Sequence, residues 1–287
     1  MKKYQGYIYT ILSAIIFGLM PLGAKLIYNN GSNSITLVFH RFLFSAPFLY
    51  FLAKSKSKES LRISRDKFKK IFFLSIGYIS TPVLLLSSYN YISSGTATTI
   101  HFIYPVLVLL GCAIFYKEKI NFAKGLSCLL CMIGLLTFYT PGDDSAFLGF
   151  VLSFMSGITY AFYIIRFAKS NLEGMDPFTI SFYLSLIGSV ELLLISIVTN
   201  TLTFDLTPIA WVLTILLAVF TSAIGTILFQ KGTILIGPQK SSLLSTFEPL
   251  TSVIVGVFVF KETLGASSVV GIILILISVV LLSIYDR

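Results

Sequence analysis

The chain has 287 residues, of which 56% are hydrophobic and only 11% charged, where a soluble domain carries roughly 25% charged residues. Its mean hydropathy is +0.90. These values define an integral membrane protein and exclude the two globular domains that length alone suggests. The formal charge of +9 does not indicate a nucleic-acid partner, because the cations gather at the ends of apolar runs rather than across a folded surface.

A helix needs about 20 mostly apolar residues to cross a bilayer, and ten such runs follow one another. The first, Tyr7 to Tyr28, comes after Lys2 and Lys3. It lacks a small-x-small cleavage site and is read as a retained helix, not a signal peptide. A tight turn at Asn29-Asn30-Gly31-Ser32-Asn33 leads to the second run, Ser34 to Ala53. The stretch from Lys54 to Lys70 then holds eight of the 21 basic residues. That is the signature of a cytoplasmic loop, and such a loop can also meet anionic lipid headgroups.

The third, fourth and fifth runs are Ile71 to Tyr89, Gly95 to Tyr116 and Phe122 to Tyr139. Pro141-Gly142-Asp143-Asp144-Ser145 reads as the turn that divides the chain into units 1–143 and 144–287. The second unit repeats the pattern with Phe147 to Ala168, Phe178 to Thr199, Pro208 to Phe229, Pro238 to Phe260 and Ala266 to Tyr285. Cys112, Cys128 and Cys131 all fall in apolar runs. With no polar loop or histidine beside them they read as packing residues, and neither a metal nor a cofactor is expected.

The two units carry the same marks. Pro105 and Pro249 each precede a Lys-Glu pair by the same interval, at Lys117-Glu118 and Lys261-Glu262, and the two patterns lie 144 residues apart. Gly6 and Gly149, Ser13 and Ser156, and Phe17-Gly18 and Tyr160-Ala161 recur at an offset of 143. With the amino terminus inside, 18 of the 21 lysines and arginines fall on the cytoplasmic side, leaving Lys25, Arg41 and Lys261. Both termini are therefore expected in the cytoplasm. Five passes per unit is an odd number, so the second copy enters from the opposite side. The expected fold is all-α, ten transmembrane helices arranged as two inverted five-helix repeats, a plan that many secondary transporters use.

These features resemble the EamA-type transporters of the drug/metabolite transporter superfamily. The residues that carry the resemblance are the glycine and small-aromatic-small patch in the first helix of each half, Arg41-Phe42, and the two Pro-to-Lys-Glu stretches. The family usually has a small residue before the Glu, so Lys117 and Lys261 depart from its pattern. The resemblance covers nearly the whole chain. It implies a ten-helix carrier for small metabolites, amino acids, nucleobase-like compounds or drugs, frequently moving them outward, and it names none of these.

Depth in the membrane singles out candidate site residues. Glu248 falls at the centre of the ninth run beside Pro249. A carboxylate there costs roughly 2.5–3.5 kcal/mol to insert, so it must face a cavity or a partner, attracting a cation or carrying a proton; the alternative is a neutral acid bonded to a neighbouring helix. Phe17 and Tyr160 are repeat equivalents near the midplane and, with Tyr104 and Tyr163, can form an aromatic lining. Aromatic residues are 15% of the chain, so packing explains any single one equally well. Tyr104 and Glu248 occupy equivalent places beside the two prolines, which are expected to kink their helices and bare carbonyls toward a cavity.

His101, one turn before Pro105, can shuttle protons or bond a carbonyl the proline frees. Glu191 is expected to pair with Arg41 or His101 in the outer half of the membrane, as a structural or gating contact. Lys25 can snorkel, His40 has no assigned role, and Glu118 and Glu262 read as depth-fixing pairs with their neighbouring lysines.

Rival functions fare worse. Gly232 to Gly237 is followed by Pro238 where a phosphate-binding loop needs Lys. The chain has two histidines and no HExxH, GxSxG or paired-Asp motif, so a membrane-embedded enzyme lacks its usual residues. No charge ring marks a channel. The reading is a secondary carrier in the cell membrane, exporting an amino acid or metabolite, with uptake of a cation such as a quaternary ammonium as the alternative. Its expected partners are a small-molecule substrate, a proton as coupling ion and the lipid bilayer, but no nucleic acid, and it works as a monomer or homodimer.

Overall fold

A computed structural model of the protein describes residues 2–56, 61–92, 94–137, 144–172, 174–260 and 266–284. Among these residues nearly all are helical and none is in a strand. The first copy contains α1 (Lys2–Gly18), α2 (Met20–Tyr28), α3 (Ser34–Lys56), α4 (Arg65–Ser88), α5 (Ser94–His101), α6 (Tyr104–Tyr116) and α7 (Phe122–Leu136). The second contains α8 (Asp144–Lys169), α9 (Pro177–Val198), α10 (Pro208–Leu217), a π-helical turn at Ala218–Gly225, α11 (Thr226–Ile236), α12 (Pro238–Leu244), α13 (Phe247–Phe260) and α14 (Ala266–Ile284). Among the described residues, eight stretches are long and apolar enough to cross a membrane. With the shorter apolar helix α7 and with α14 they make ten passes.

Local chemistry sets the boundaries. Helix α4 begins six residues before its apolar run, because Ser64 caps it by accepting from the Lys67 amide. Likewise Asp176 caps α9 and Thr207 caps α10. Helix α8 starts at Asp144, inside the expected interunit turn. Pro141, Gly142 and Asp143 of that turn, together with Lys58, Lys261, Glu262 and Arg287, lie outside the described residues.

Three passes are broken, each just before a proline. The fourth breaks at Phe102–Ile103 ahead of Pro105, and the ninth at Ser245–Thr246 ahead of Pro249. Proline has no amide hydrogen to continue the ladder and its ring crowds the preceding turn. At the second break the Glu248 amide takes the Ser245 carbonyl instead, at 2.8 Å. The first pass breaks at Leu19, ahead of Pro21. Pro47 and Pro82 sit inside α3 and α4 without ending them.

The helices pack in exchange-symmetric pairs. Helix α1 packs on α11 as α8 packs on α4; α1 touches α12 and α13 as α8 touches α5 and α6; α3 meets the π turn and α10 as α9 meets α4. Equivalent passes face each other in the pairs α3 with α9, α6 with α12 and α7 with α14. The repeated glycines hold equivalent contacts. A Cβ on Gly6 would lie 2.5 Å from Ile236 and 2.9 Å from Leu235, and one on Gly149 would lie 2.9 Å from both Ile92 and Tyr91. Those contacted pairs are themselves 144 residues apart.

Polarity runs inside out, as a lipid solvent requires. Phe122, Val198 and Phe258 are largely exposed on the outer surface, while Ser and Thr side chains are buried between helices. Many of these hydroxyls donate to a carbonyl one turn back, as Thr81 does to Gly77 and Thr214 to Ala210, which satisfies them where water is absent. Others cross between copies, as Ser45 does to Ser185 at 3.0 Å.

Candidate functional site

A cavity of about 510 Å³, open mouth included, lies between the two copies. Its walls come from seven passes. Phe17 and Met20 are contributed by the broken first pass, Arg41 and Phe42 by α3, and Tyr78, Thr81, Pro82 and Leu85 by α4. His101 closes it from the end of α5, Tyr160 from α8, Thr226 from α11 and Glu248 from the start of α13. The breaks before Pro21, Pro105 and Pro249 therefore all lie at the wall, where irregular backbone is tolerated.

Five residues expected from the sequence meet at this cavity: Phe17, Arg41, His101, Tyr160 and Glu248. Phe17 and Tyr160 are repeat equivalents, and so are Pro82 and Thr226, 144 residues apart. These two pairs are matched in position, but the ionisable lining residues are not, since Arg41 and His101 come from the first copy and Glu248 from the second.

The Glu248 carboxylate is 5% exposed. It has no hydrogen bond or ion pair among the described residues. Gly18 packs against the Glu248 backbone, close enough that a Cβ would lie 2.6 Å from its carbonyl oxygen. Arg41 is 3% exposed; its Nη1 donates to the Met20 sulfur at 3.1 Å and its Nε has no hydrogen-bond partner among the described residues. No carboxylate among the described residues lies within ion-pair distance of it. A buried guanidinium and a buried carboxyl group thus line one cavity with no ion pair between them among the described residues.

His101 is oriented by α8. Its Nδ1 is 2.8 Å from the Ser156 hydroxyl, which gives its own hydrogen to the Ser153 carbonyl at 2.5 Å. The hydroxyl has one hydrogen, so the imidazole must donate from Nδ1 and keep Nε2 as its acceptor. The Ser153 hydroxyl in turn donates to the Ala97 carbonyl and ties α8 to α5. Among the described residues His101 makes no bond to a proline-freed carbonyl.

Tyr104 and Tyr163 stand behind the wall. Tyr104 is fully buried, with ring centroids 5.1 Å from His101 and 4.7 Å from Tyr160. Tyr163 stacks on Tyr160 at 6.1 Å and accepts from Gln230 Nε2 at 3.1 Å, and Gln230 accepts from Ser181. They back the lining residues instead of forming the surface. Glu191 is half-buried on α9 and accepts from Ser75 at 3.4 Å, pairing with neither Arg41 nor His101. Its helix position carries it toward α4 and away from the cavity wall.

Sequence reasoning passed over Met20, Phe42, Tyr78, Thr81, Pro82, Leu85 and Thr226. Pro21 and Pro82 gave a readable signal, being prolines within apolar runs, and equivalence to Pro82 marks Thr226. Tyr78 gave none; its hydroxyl meets Thr226 at 3.0 Å across the copies, a contact that only the folded bundle creates.

At the basic end of the bundle, Glu118 bonds across passes and not to Lys117. Its Oε1 accepts from Lys169 at 2.6 Å and its Oε2 from Gln239 at 2.7 Å. Lys117 instead terminates α6 in a left-handed conformation, φ 54°. The opposite end is joined by Asn30 to Thr207 at 3.0 Å and Asn33 to the Thr201 carbonyl at 2.6 Å.

Two tandem five-pass copies packed about a central cavity define a polytopic helical membrane protein of internal-repeat architecture. The EamA-like transporter family model matches residues 4–140 and again residues 147–284, and the chain belongs to that family. It is similar to an uncharacterized transporter of Archaeoglobus fulgidus, 25% identical over 275 residues, covering 94% of this chain and 93% of the relative. It is also similar to the uncharacterized transporter YxxF of Bacillus subtilis, 23% identical over 263 residues, 88% and 81% of the respective chains. A solved crystal structure shares the fold with a TM-score of 0.79, at 11% identity over 97% of this chain and 96% of the other.

Proposed function

We propose that this protein is a secondary carrier that moves a small zwitterion of the amino-acid class outward by alternating access, with Arg41, Glu248, Phe17 and Tyr160 in contact with substrate. The observation that carries the reading is the unpaired coexistence of Arg41 and Glu248 on one cavity wall. Each buried charge alone is expensive, and a ligand bearing a carboxylate and an ammonium offsets both at once. A guanidinium binds a carboxylate through two parallel hydrogen bonds, while the aromatic faces hold the ammonium end or an apolar side chain. His101, with Nε2 free to accept, is the proposed group for proton coupling.

The same pairing argues against a quaternary ammonium, which the buried Arg41 would repel. The charge count supports a cell-membrane orientation with both termini cytoplasmic. The test begins with a thermal-shift screen of the purified protein against amino acids and quaternary ammonium compounds. Hits then go to counterflow of labelled ligand in proteoliposomes. Stabilisation and exchange of an amino acid are expected. Stabilisation by quaternary ammonium compounds alone, or turnover of a covalent bond, would overturn the reading.

A further inference from the structure

A second cavity, of about 460 Å³ with its mouth included, lies at the end of the α4–α8 pair and is lined by Lys70, Leu74, Arg166, Lys169, Ser170 and Asn171. Of the six described residues that line it, three are cations and none is an acid. Arg166 has no acid partner among the described residues. Lys70 is engaged by Asp66 at 3.1 Å, but the Asp66 side chain is 74% exposed, so the pair is solvent-screened and weak. Lys169 is the cation that Glu118 holds at 2.6 Å. Buried Leu74 gives it an apolar floor, and Asn171 lines it with its backbone in the left-handed region, φ 55°.

Below the cations an apolar stripe continues along both helices. Phe73 lies one turn from Lys70 on α4 and is 54% exposed, and Phe162 lies one turn from Arg166 on α8 and is 39% exposed. Cations at a helix end above exposed aromatics match the two ends of one molecule: a phosphate at the interface and acyl chains beneath it. A free phosphate accounts for the cations but not for the stripe.

We propose that this pocket binds the phosphate of an anionic phospholipid, and that the bound headgroup competes with Glu118 for Lys169. The site is separate from the central cavity and does not depend on what that cavity carries. Because Glu118 joins the end of α6 to α8 through Lys169 and to α12 through Gln239, drawing Lys169 away loosens a contact between passes of the two copies. The local lipid thereby sets how firmly this end of the bundle is closed.

The experiment titrates the full-length protein in detergent with phosphatidylglycerol, phosphatidylcholine or inorganic phosphate, following Tm and lipid retention by native mass spectrometry. Phosphatidylglycerol is expected to raise Tm and stay bound where phosphatidylcholine does neither. Arg166→Gln and Lys70→Gln should each weaken retention roughly fivefold, in line with the contribution of one interfacial cation. Glu118→Gln, which releases Lys169, should strengthen it. Equal retention of both lipids, or retention unchanged in the Lys70→Gln/Arg166→Gln double variant, would sink the proposal. An equal Tm rise from inorganic phosphate would overturn the lipid assignment in favour of a soluble phosphate. Should the double variant fold poorly, the wild-type contrast between the two lipids and the gain in Glu118→Gln still decide the matter.

Discussion

His101 is held by Ser156 across the boundary between the two copies, Nδ1 to hydroxyl at 2.8 Å. Because Ser156 spends its hydrogen on Ser153, it enforces one tautomer. Ser156→Ala removes that constraint and leaves a buried N–H without an acceptor. Interhelical hydrogen bonds in membranes contribute about 0.6 kcal/mol on average and at most about 1.7, so Tm should fall only slightly. A larger change is expected in the pH profile of transport, because Nε2 is no longer reserved as the acceptor. A profile identical to wild type would remove His101 from coupling.

Glu248→Gln keeps shape and removes charge. The carboxylate lacks a partner among the described residues, and a charge at this depth costs roughly 2.5–3.5 kcal/mol. The variant should therefore insert normally and melt no lower than the wild type, while counterflow of a zwitterion is lost. Retained counterflow would place the ammonium elsewhere.

Arg41→Met removes the guanidinium but preserves much of the apolar stem. Truncating one member of a buried charge pair costs about 2–5 kcal/mol, so affinity for an amino acid should drop about thirtyfold or more. Affinity for the corresponding amine, which has no carboxylate, should stay within a few-fold. Titration calorimetry with the two ligands distinguishes a carboxylate-binding role from general damage, since the latter weakens both.

The contact of Glu118 with Lys169 is about a third exposed on each side, which limits its stabilising effect to about 1 kcal/mol or less. Glu118→Gln should hardly change Tm. It should, however, raise the labelling rate of buried Cys112, six residues earlier in the chain, by a maleimide added from the basic-loop side. An unchanged rate means that the contact does not restrain opening.

Gly6→Ala and Gly149→Ala each put a Cβ where a neighbour's side chain already stands. Overpacking of this kind costs about 1–3 kcal/mol. The two sites share no partner, so their effects on Tm should add. Sub-additive effects would show that the two contacts relax together.

What the sequence made legible followed from backbone chemistry and depth. Proline acts on the backbone of its own segment, so Pro105 and Pro249 announced the breaks that the helices show. Depth along the membrane normal is counted residue by residue, so Glu248, Phe17 and Tyr160 were readable as midplane groups. The direction of a side chain about the helix axis is not counted that way. Tyr104 therefore read like Tyr160 but lies behind it, and Glu191 turns to Ser75 on α4. The π turn at Ala218–Gly225 has no local marker comparable to a proline. The tie between Glu118 and Lys169 joins residues 51 positions apart, and only the bundle's packing brings them together.

The paired glycines have one more consequence. Gly6 guards the approach of α1 to residues of the second copy, and Gly149 guards the approach of α8 to residues of the first. Neither copy contains the surface that its own glycine serves. A duplicated chain would ordinarily have spare parts, one half free to drift while the other keeps the original. Here each half holds what the other half needs, so the duplication brought no redundancy at these contacts, and damage to either copy is damage to both.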